Sequence, residues 1–245
     1  MISTVSSQPR VGDIAGVVRR RLLVNSWADP DEVAKRLPTG MRPHVGSGGG
    51  VVVGCCMIEI ESARPWPLPR RLGVTINAAA HRISVETGPP DAATRAVYVP
   101  MRHTDSRLAV FAGGRVFPGV HAPASVVIDS DTNSLSWSIR SESGNSEGFD
   151  ITASASLRKA TEATSELAEI VIGTTVGLSP ARSLDRMETI EMRAARSEVL
   201  AVELTSLDSE FLASFTTAEP AETLLMNDAG VTWRPASKDA VDVVG

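Results

Sequence analysis

The chain has 245 residues, 42% of them hydrophobic and 22% charged, with 29 acidic side chains against 24 basic ones and a formal net charge of −5. This composition suits one large domain, and an acidic balance without a basic stripe or an interleaved aromatic platform excludes non-specific nucleic-acid binding. No signal-like leader opens the sequence, no apolar run reaches the length of a membrane span, and the only cysteines, Cys55 and Cys56, are adjacent and poorly placed for a bond, so a cytoplasmic protein with no membrane partner is expected.

Residues 1–14 are polar and read as a flexible lead-in, 15–235 as one domain, and 236–245 as a flexible tail. The first strand is expected over Arg20–Ser26. Asp29 then reads as an N-cap, with Pro30 at the first helical position and Glu32 three residues after the cap, which predicts a helix over Asp29–Leu37. Val51–Ile60 is apolar and β-branched, the pattern of a central strand buried on both faces. Ser62–Arg71 carries Pro65, Pro67 and Pro69 and is expected to be a loop, its Trp66 either covering a pocket or packing.

Further strands are expected near Val74–Asn77, His81–Glu86, Arg95–Val99, Ser125–Ile128, Leu135–Arg140 and Phe149–Leu157. Thr161–Ile172 suits a helix stopped by Gly173, and Thr174–Arg182 reads as mobile. Strands at Glu188–Arg193 and Glu198–Leu204, a helix at Asp208–Phe215 and a strand at Thr223–Met226 complete the pattern. It contains no repeat.

Basic residues are unevenly chosen: Lys35, Lys159 and Lys238 are the only lysines, and arginine supplies the rest. A GC-rich coding sequence accounts for the bias, but the chemistry still differs. A guanidinium stays protonated and cannot attack a carbonyl, whereas its planar fork suits carboxylates and phosphates. None of the three lysines is placed like a buried catalytic amine.

The segment Phe117-Pro118-Gly119-Val120-His121-Ala122-Pro123, running into Val127-Ile128-Asp129-Ser130-Asp131-Thr132, resembles the active-site strand of acetoacetate decarboxylase. The matching family segment reads Tyr-Pro-Lys-Lys, and its first lysine forms a Schiff base with a keto acid. Gly119 and Val120 stand at those two positions here, and neither offers an amine. The blocks Gly73–Arg82, Tyr98–Arg107 and Ala112–His121 resemble an uncharacterised bacterial branch of the acetoacetate-decarboxylase-like superfamily. The resemblance implies a mainly β fold, a cone-shaped β-barrel with a few short helices and a central cavity. It also implies a homo-oligomer, for which the sequence has no signal of its own.

Aligning the segments at Asp29 puts Arg19 at the family's pocket-region arginine, with Arg20 and Arg21 as alternatives because the run of three leaves the register open. The family's upstream acidic residue falls near Ile76 or Asn77. The expected substrate-binding residues are therefore Arg19, Asn77, Arg115 and Gly119, and His121 and Tyr98 are the candidates for moving protons. His121 has a second reading, a strand histidine satisfied by a neighbouring carbonyl. Arg82 and Arg102 are expected to pair with carboxylates such as Glu86 and Asp105, because adjacent His-Arg partners on a strand face opposite ways. His81, His103 and His121 together would suit zinc, but their spacing carries no motif. No metal or cofactor is expected, since the dinucleotide fingerprint G-x-G-x-x-G is lacking, and Ser106 lacks the G-x-S-x-G elbow, so a serine hydrolase has little support.

Two functions fit these residues. One is a non-covalent enzyme, a lyase, isomerase or cyclase acting on a small carboxylate or β-dicarbonyl compound without Schiff-base chemistry. The other is an inactive small-molecule binding or sensing protein.

Overall fold

The computed structural model describes residues 9–115, 117–142, 150–182, 186–195 and 197–235. After β1 (Ile14–Ala28) come α1 (Pro30–Ala34), β2 (Met41–Pro43), β3 (Val51–Pro65), β4 (Val74–Thr87), β5 (Thr94–Tyr98) and β6 (Arg102–Thr104). Next are α2 (Arg107–Ala112), β7 (His121–Ser130), β8 (Ser134–Ser141), β9 (Ile151–Glu162), α3 (Glu166–Gly173), β10 (Val176–Pro180) and β11 (Met187–Ala194). The chain finishes with β12 (Val199–Ser209), α4 (Glu210–Ala213), β13 (Glu219–Pro220) and β14 (Thr223–Pro235).

The strands form one sheet that closes on itself twice. The first closed path runs β1–β3–β4–β5–β10–β11–β14 and back to β1. The second leaves β14 for β12, β9, β8, β7 and β6, then returns to β4. Two strands branch to make this possible. β4 pairs β6 through Ala78–Ala80 and β5 through Ile83–Thr87, while β14 pairs β12 through Thr223–Val202 and its neighbours and β11 through Val231–Pro235. β1 and β3 are therefore a wall common to both paths, and closure removes most of the open edge that a β-rich protein must protect. The mainly β barrel implied by the sequence resemblance is observed.

Strand alternation sends successive side chains of this wall to opposite faces. Leu22, Val24, Cys55, Met57, Ile83 and Val85 enter the main core, where they meet Leu135, Trp137, Ile139, Ile151 and Ala153 from the second path. Leu23, Val52 and Cys56 go to the other face, under Leu167, Ala168, Ile170 and Val171 of α3. Cys55 and Cys56 are both buried and unbonded to each other, on opposite faces as their adjacency requires.

Several sequence expectations are corrected by the structure. Val74–Asn77 and His81–Glu86 are one continuous strand, because the intervening alanines fit the pleat as well as the flanking residues do. The Pro-rich stretch from Ser62 is a loop only after Pro65: β3 continues that far past an irregularity at Ser62, whose φ is 53°. The helix expected over Thr161–Ile172 starts only at Glu166, capped by Ser165, because Thr161 and Glu162 still pair with β12. The stretch read as mobile, Thr174–Arg182, contains β10. No element was expected over Arg107–Ala112, which is a helix capped by Ser106.

Asp29 does cap α1, accepting from the amides of Asp31 and Glu32. The Glu32 carboxylate does not return to the cap but accepts from Thr216 and Thr217, which hold it down at about 2. Asp13, in the expected lead-in, is buried and meets Arg234 at 2.8 Å. Residues 1–8, the tail 236–245 and Phe149 lie outside the described residues.

Candidate functional site

Inside the first closed path lies a cavity of about 460 Å³. Its wall is the second face of β1, β3 and β4. Arg21, Cys56, Ile58 and Ile60 line it from β1 and β3, and Val74, Ile76, Ala78, Ala80 and Arg82 line it from β4 at every second position. Val97, Gly177, Ile190, Met192 and Trp233 continue the ring, Arg102 and His121 enter from β6 and β7, and α2 contributes Leu108 and Phe111. No lysine, aspartate or glutamate is among the described lining residues.

Three guanidiniums converge here, and none has a carboxylate within ion-pairing distance among the described residues. Arg21, with 7% of its surface exposed, points Nε at Cys56 Sγ (3.2 Å) and Nη1 at Met192 Sδ (3.9 Å), both weak acceptors. Arg82 donates one long bond to the Val171 carbonyl of α3 (3.4 Å), and its Nη1 has no partner. Arg102 donates from Nη1 to Ser179 Oγ. Burial depresses both Arg82 and Arg102 to about 10, with the neighbouring Arg21 adding to the effect on Arg82. They remain cations at neutral pH. Buried cations without counter-ions are unfavourable alone and become favourable when an anion completes them.

His121 belongs to this group. The parallel register pairs it with Arg102, so both side chains lie on the same face of adjacent strands. Its Nδ1 lies 3.0 Å from the Gly119 carbonyl, which only accepts, so Nδ1 carries the proton and Nε2 is left as the acceptor. Burial, helped by the Arg102 charge and opposed by the Gly119 hydrogen bond, pushes its pKa down to about 4. The ring is neutral at physiological pH, and the alternative reading of a histidine satisfied by a carbonyl is met alongside its place in the cavity.

The remaining sequence candidates lie elsewhere, for identifiable reasons. Arg19 is the extra residue of a register shift between Val18 and Arg20, which throws it outward to Glu61 and Asp228 and brings Arg21 onto the cavity face. Asn77 and Tyr98 each sit between two cavity-lining neighbours and so face away. Asn77 Nδ2 donates to Asp105 (2.7 Å), and Tyr98 joins the main core, where burial raises its phenol pKa. Arg115 stacks over Phe111 with its guanidinium carbon 4.7 Å from the ring centroid.

Gly119 precedes β7 in a turn with φ of 84° and donates its amide to Glu188 (2.7 Å). A Cβ there would collide with Arg102 Nη1. The expected ion pairs of Arg82 and Arg102 do not form either: Glu86 meets His44 (2.8 Å), and Asp105 holds Asn77. Sequence reasoning therefore missed Arg82 and Arg102 as cavity residues and held Arg21 only as an alternative to Arg19. Their available signal was that each is next to a residue with an assigned inward or outward face.

His81 and His103 occupy the opposite face from His121, with ring centroids 6.2 Å apart and His81 Nδ1 3.3 Å from Cys55 Sγ. The described residues hold no group of three metal-ligating side chains. Burial pushes the Cys55 thiol up to about 12, so it stays protonated.

No protein-family model and no curated protein sequence matches the chain. Solved structures do. Acetoacetate decarboxylase from Legionella pneumophila superposes with a TM-score of 0.68 at 11% identity, over 96% of this chain and 94% of that one. The enduracididine biosynthesis enzyme MppR, complexed with pyruvate, gives 0.58 at 12% over 91% and 89%. An acetoacetate decarboxylase-like enzyme from Sphingomonas wittichii RW1 gives 0.58 at 12% over 93% of both chains. At these identities the likeness establishes architecture, and the chain has the acetoacetate-decarboxylase-like fold.

Proposed function

We propose that this protein is a non-covalent enzyme, a lyase, isomerase or cyclase, that binds a small carboxylate or β-dicarbonyl compound in the barrel cavity and uses no Schiff base. The observation that carries the reading is the convergence of Arg21, Arg82 and Arg102, without carboxylate partners among the described residues, on an apolar cavity. Arg102 has a particular bearing on the lost lysine. Its guanidinium fills the space that a Cβ at position 119 would enter, so a fixed cation stands beside the position that the resemblance assigns to the nucleophilic lysine. Such a cation polarises a carbonyl or holds an enolate but forms no imine.

Neutral His121, in register with Arg102, supplies an acceptor nitrogen for a proton removed from the bound molecule. Lys35 and Lys159, on α1 and β9, do not line the cavity. The pyruvate in the MppR complex supports a keto-acid-sized group as ligand. Domain limits of 15–235 and a homo-oligomer belong to the same proposal.

The reading as a binding or sensing module is favoured by one feature: no carboxylate base lines the cavity among the described residues, and His121 titrates too low to be a strong base. The two separate in one experiment. A β-keto acid is incubated with the protein in deuterium oxide, and α-proton exchange and product are followed by NMR, with borohydride trapping in parallel. Exchange that disappears in His121→Asn, with no reduced adduct, supports the enzyme. Binding without exchange supports the module. A borohydride-trapped lysine would overturn the imine-free reading. Arg102→Gln should weaken binding by about 10- to 100-fold, the value of a charge-assisted contact, while leaving folding stability unchanged or raised, because a desolvated cation has been removed.

A further inference from the structure

We infer that the ligand is an amphipathic carboxylate whose apolar tail, several carbons longer than a four-carbon keto acid, runs from the arginines to the mouth between Leu108 and Phe111. This deepens the proposed function and rests on it for the anionic end. Three observations carry the tail.

The first is polarity along the wall. Descending β4 on the cavity face, the side chains change from Arg82 through Ala80 and Ala78 to Ile76 and Val74. Six residues separate Arg82 from Ile76, about 20 Å of strand at roughly 3.3 Å per residue. β3 repeats the gradient, because its register sets Cys56 beside Ala80, Ile58 beside Ala78 and Ile60 beside Ile76. The two alanines keep the middle of this path open.

The second is closure at one end only. The arginine end is covered by α3, whose Val171 carbonyl accepts from Arg82. Leu108 and Phe111 of α2 line the cavity while remaining 59% and 64% exposed, so they form an apolar rim open to solvent. Arg64, at the Val74 end of the wall, already donates to the carbonyls of Ser62 and Leu68, at 2.9 and 2.8 Å. A molecule that satisfies both ends enters carboxylate first and leaves its tail under the rim.

The third is size. A cavity of about 460 Å³ falls in the range of roughly 300–1,000 Å³ that suits ligands much larger than pyruvate. A short acid would reach the arginines and leave the Ile60, Ile76 and Trp233 surfaces unoccupied.

The test measures dissociation constants by calorimetry for butyrate, hexanoate, octanoate and decanoate, below their aggregation limits, and for decanamide and acetoacetate. Affinity should rise about two- to fourfold per methylene, up to the limit set by full burial of a CH₂. Decanamide should bind at least tenfold more weakly than decanoate. Leu108→Asp, at an exposed position that folding tolerates, should weaken decanoate by about tenfold and leave butyrate unchanged.

Butyrate or acetoacetate binding as tightly as decanoate, with Leu108→Asp silent, would overturn the tail and leave the anion-binding reading intact. Decanamide matching decanoate, with Arg82→Gln silent, would overturn the anion-binding reading and with it this one. Failure of every probe to bind would overturn both.

Discussion

The two faces of the β1–β3–β4 wall meet opposite surroundings although they share a backbone. On one face Leu22, Val24, Cys55 and Met57 pack against Leu135, Trp137 and Ile139, and Trp137 is completely buried. On the other, Arg21, Cys56, Ile58 and Arg82 border open volume, and Arg21, Arg82 and Arg102 have no carboxylate within ion-pairing distance among the described residues. The difference teaches which face stabilises the fold and which leaves open volume. Interiors are normally close-packed and charges paired. The face that departs from both rules is the one to which the proposed function assigns binding, and the packed face has to carry the stability it lacks.

The largest expected effect tests this division directly. Trp137→Ala should destabilise the protein by about 3–5 kcal/mol in urea unfolding, whereas Ile60→Ala, whose side chain already borders the cavity, should lose only about 1 kcal/mol. Equal losses would break the comparison, because the cavity face would then be as tightly packed as the core.

A smaller effect concerns protons. His121 is held at about 4 against its ordinary 6.5, so between these values the unfolded chain binds a proton that the folded one does not. Stability contributed by the neutral ring is therefore complete above about pH 6.5 and falls as pH drops toward 4, by roughly 3 kcal/mol at about 1.36 kcal/mol per pH unit. Thermal melts of His121→Gln should show a flatter acid slope over that window. His103, whose pKa burial also lowers, would leave a residual slope. An unchanged slope in His121→Gln would mean that the ring is not buried as a neutral group.

The smallest effect sharpens the comparison by its near-absence. Arg19→Ala and Arg115→Ala remove exposed guanidiniums from an ion pair and a ring stack. Each should change stability by no more than about 0.5 kcal/mol and leave ligand affinity alone. A tenfold loss of affinity in either variant would move the anion site out of the cavity.

Much of this was legible along the chain. The Asp29-Pro30 start of α1, the apolar run of β3 and the alternation in β8 and β9 are local patterns, and each became the expected type of element. The barrel was legible through the motifs between residues 73 and 121, and His121 was legible as a cavity residue. What could not be read was the phase of β1. Arg19, Arg20 and Arg21 are chemically identical neighbours, and only the register shift at Arg19, set by pairing with β3, decides that Arg21 faces inward.

The sequence by itself determined the element types, the mainly β class and the lack of a lysine at position 119, because these follow from local periodicity and residue identity. Only the tertiary structure decided which arginines are buried together, that Arg102 occupies the space beside Gly119, and that one face of a shared wall is hollow. Those outcomes depend on strand register and on closure between segments far apart in the chain, and a shift of one residue would turn every one of these side chains to the other face.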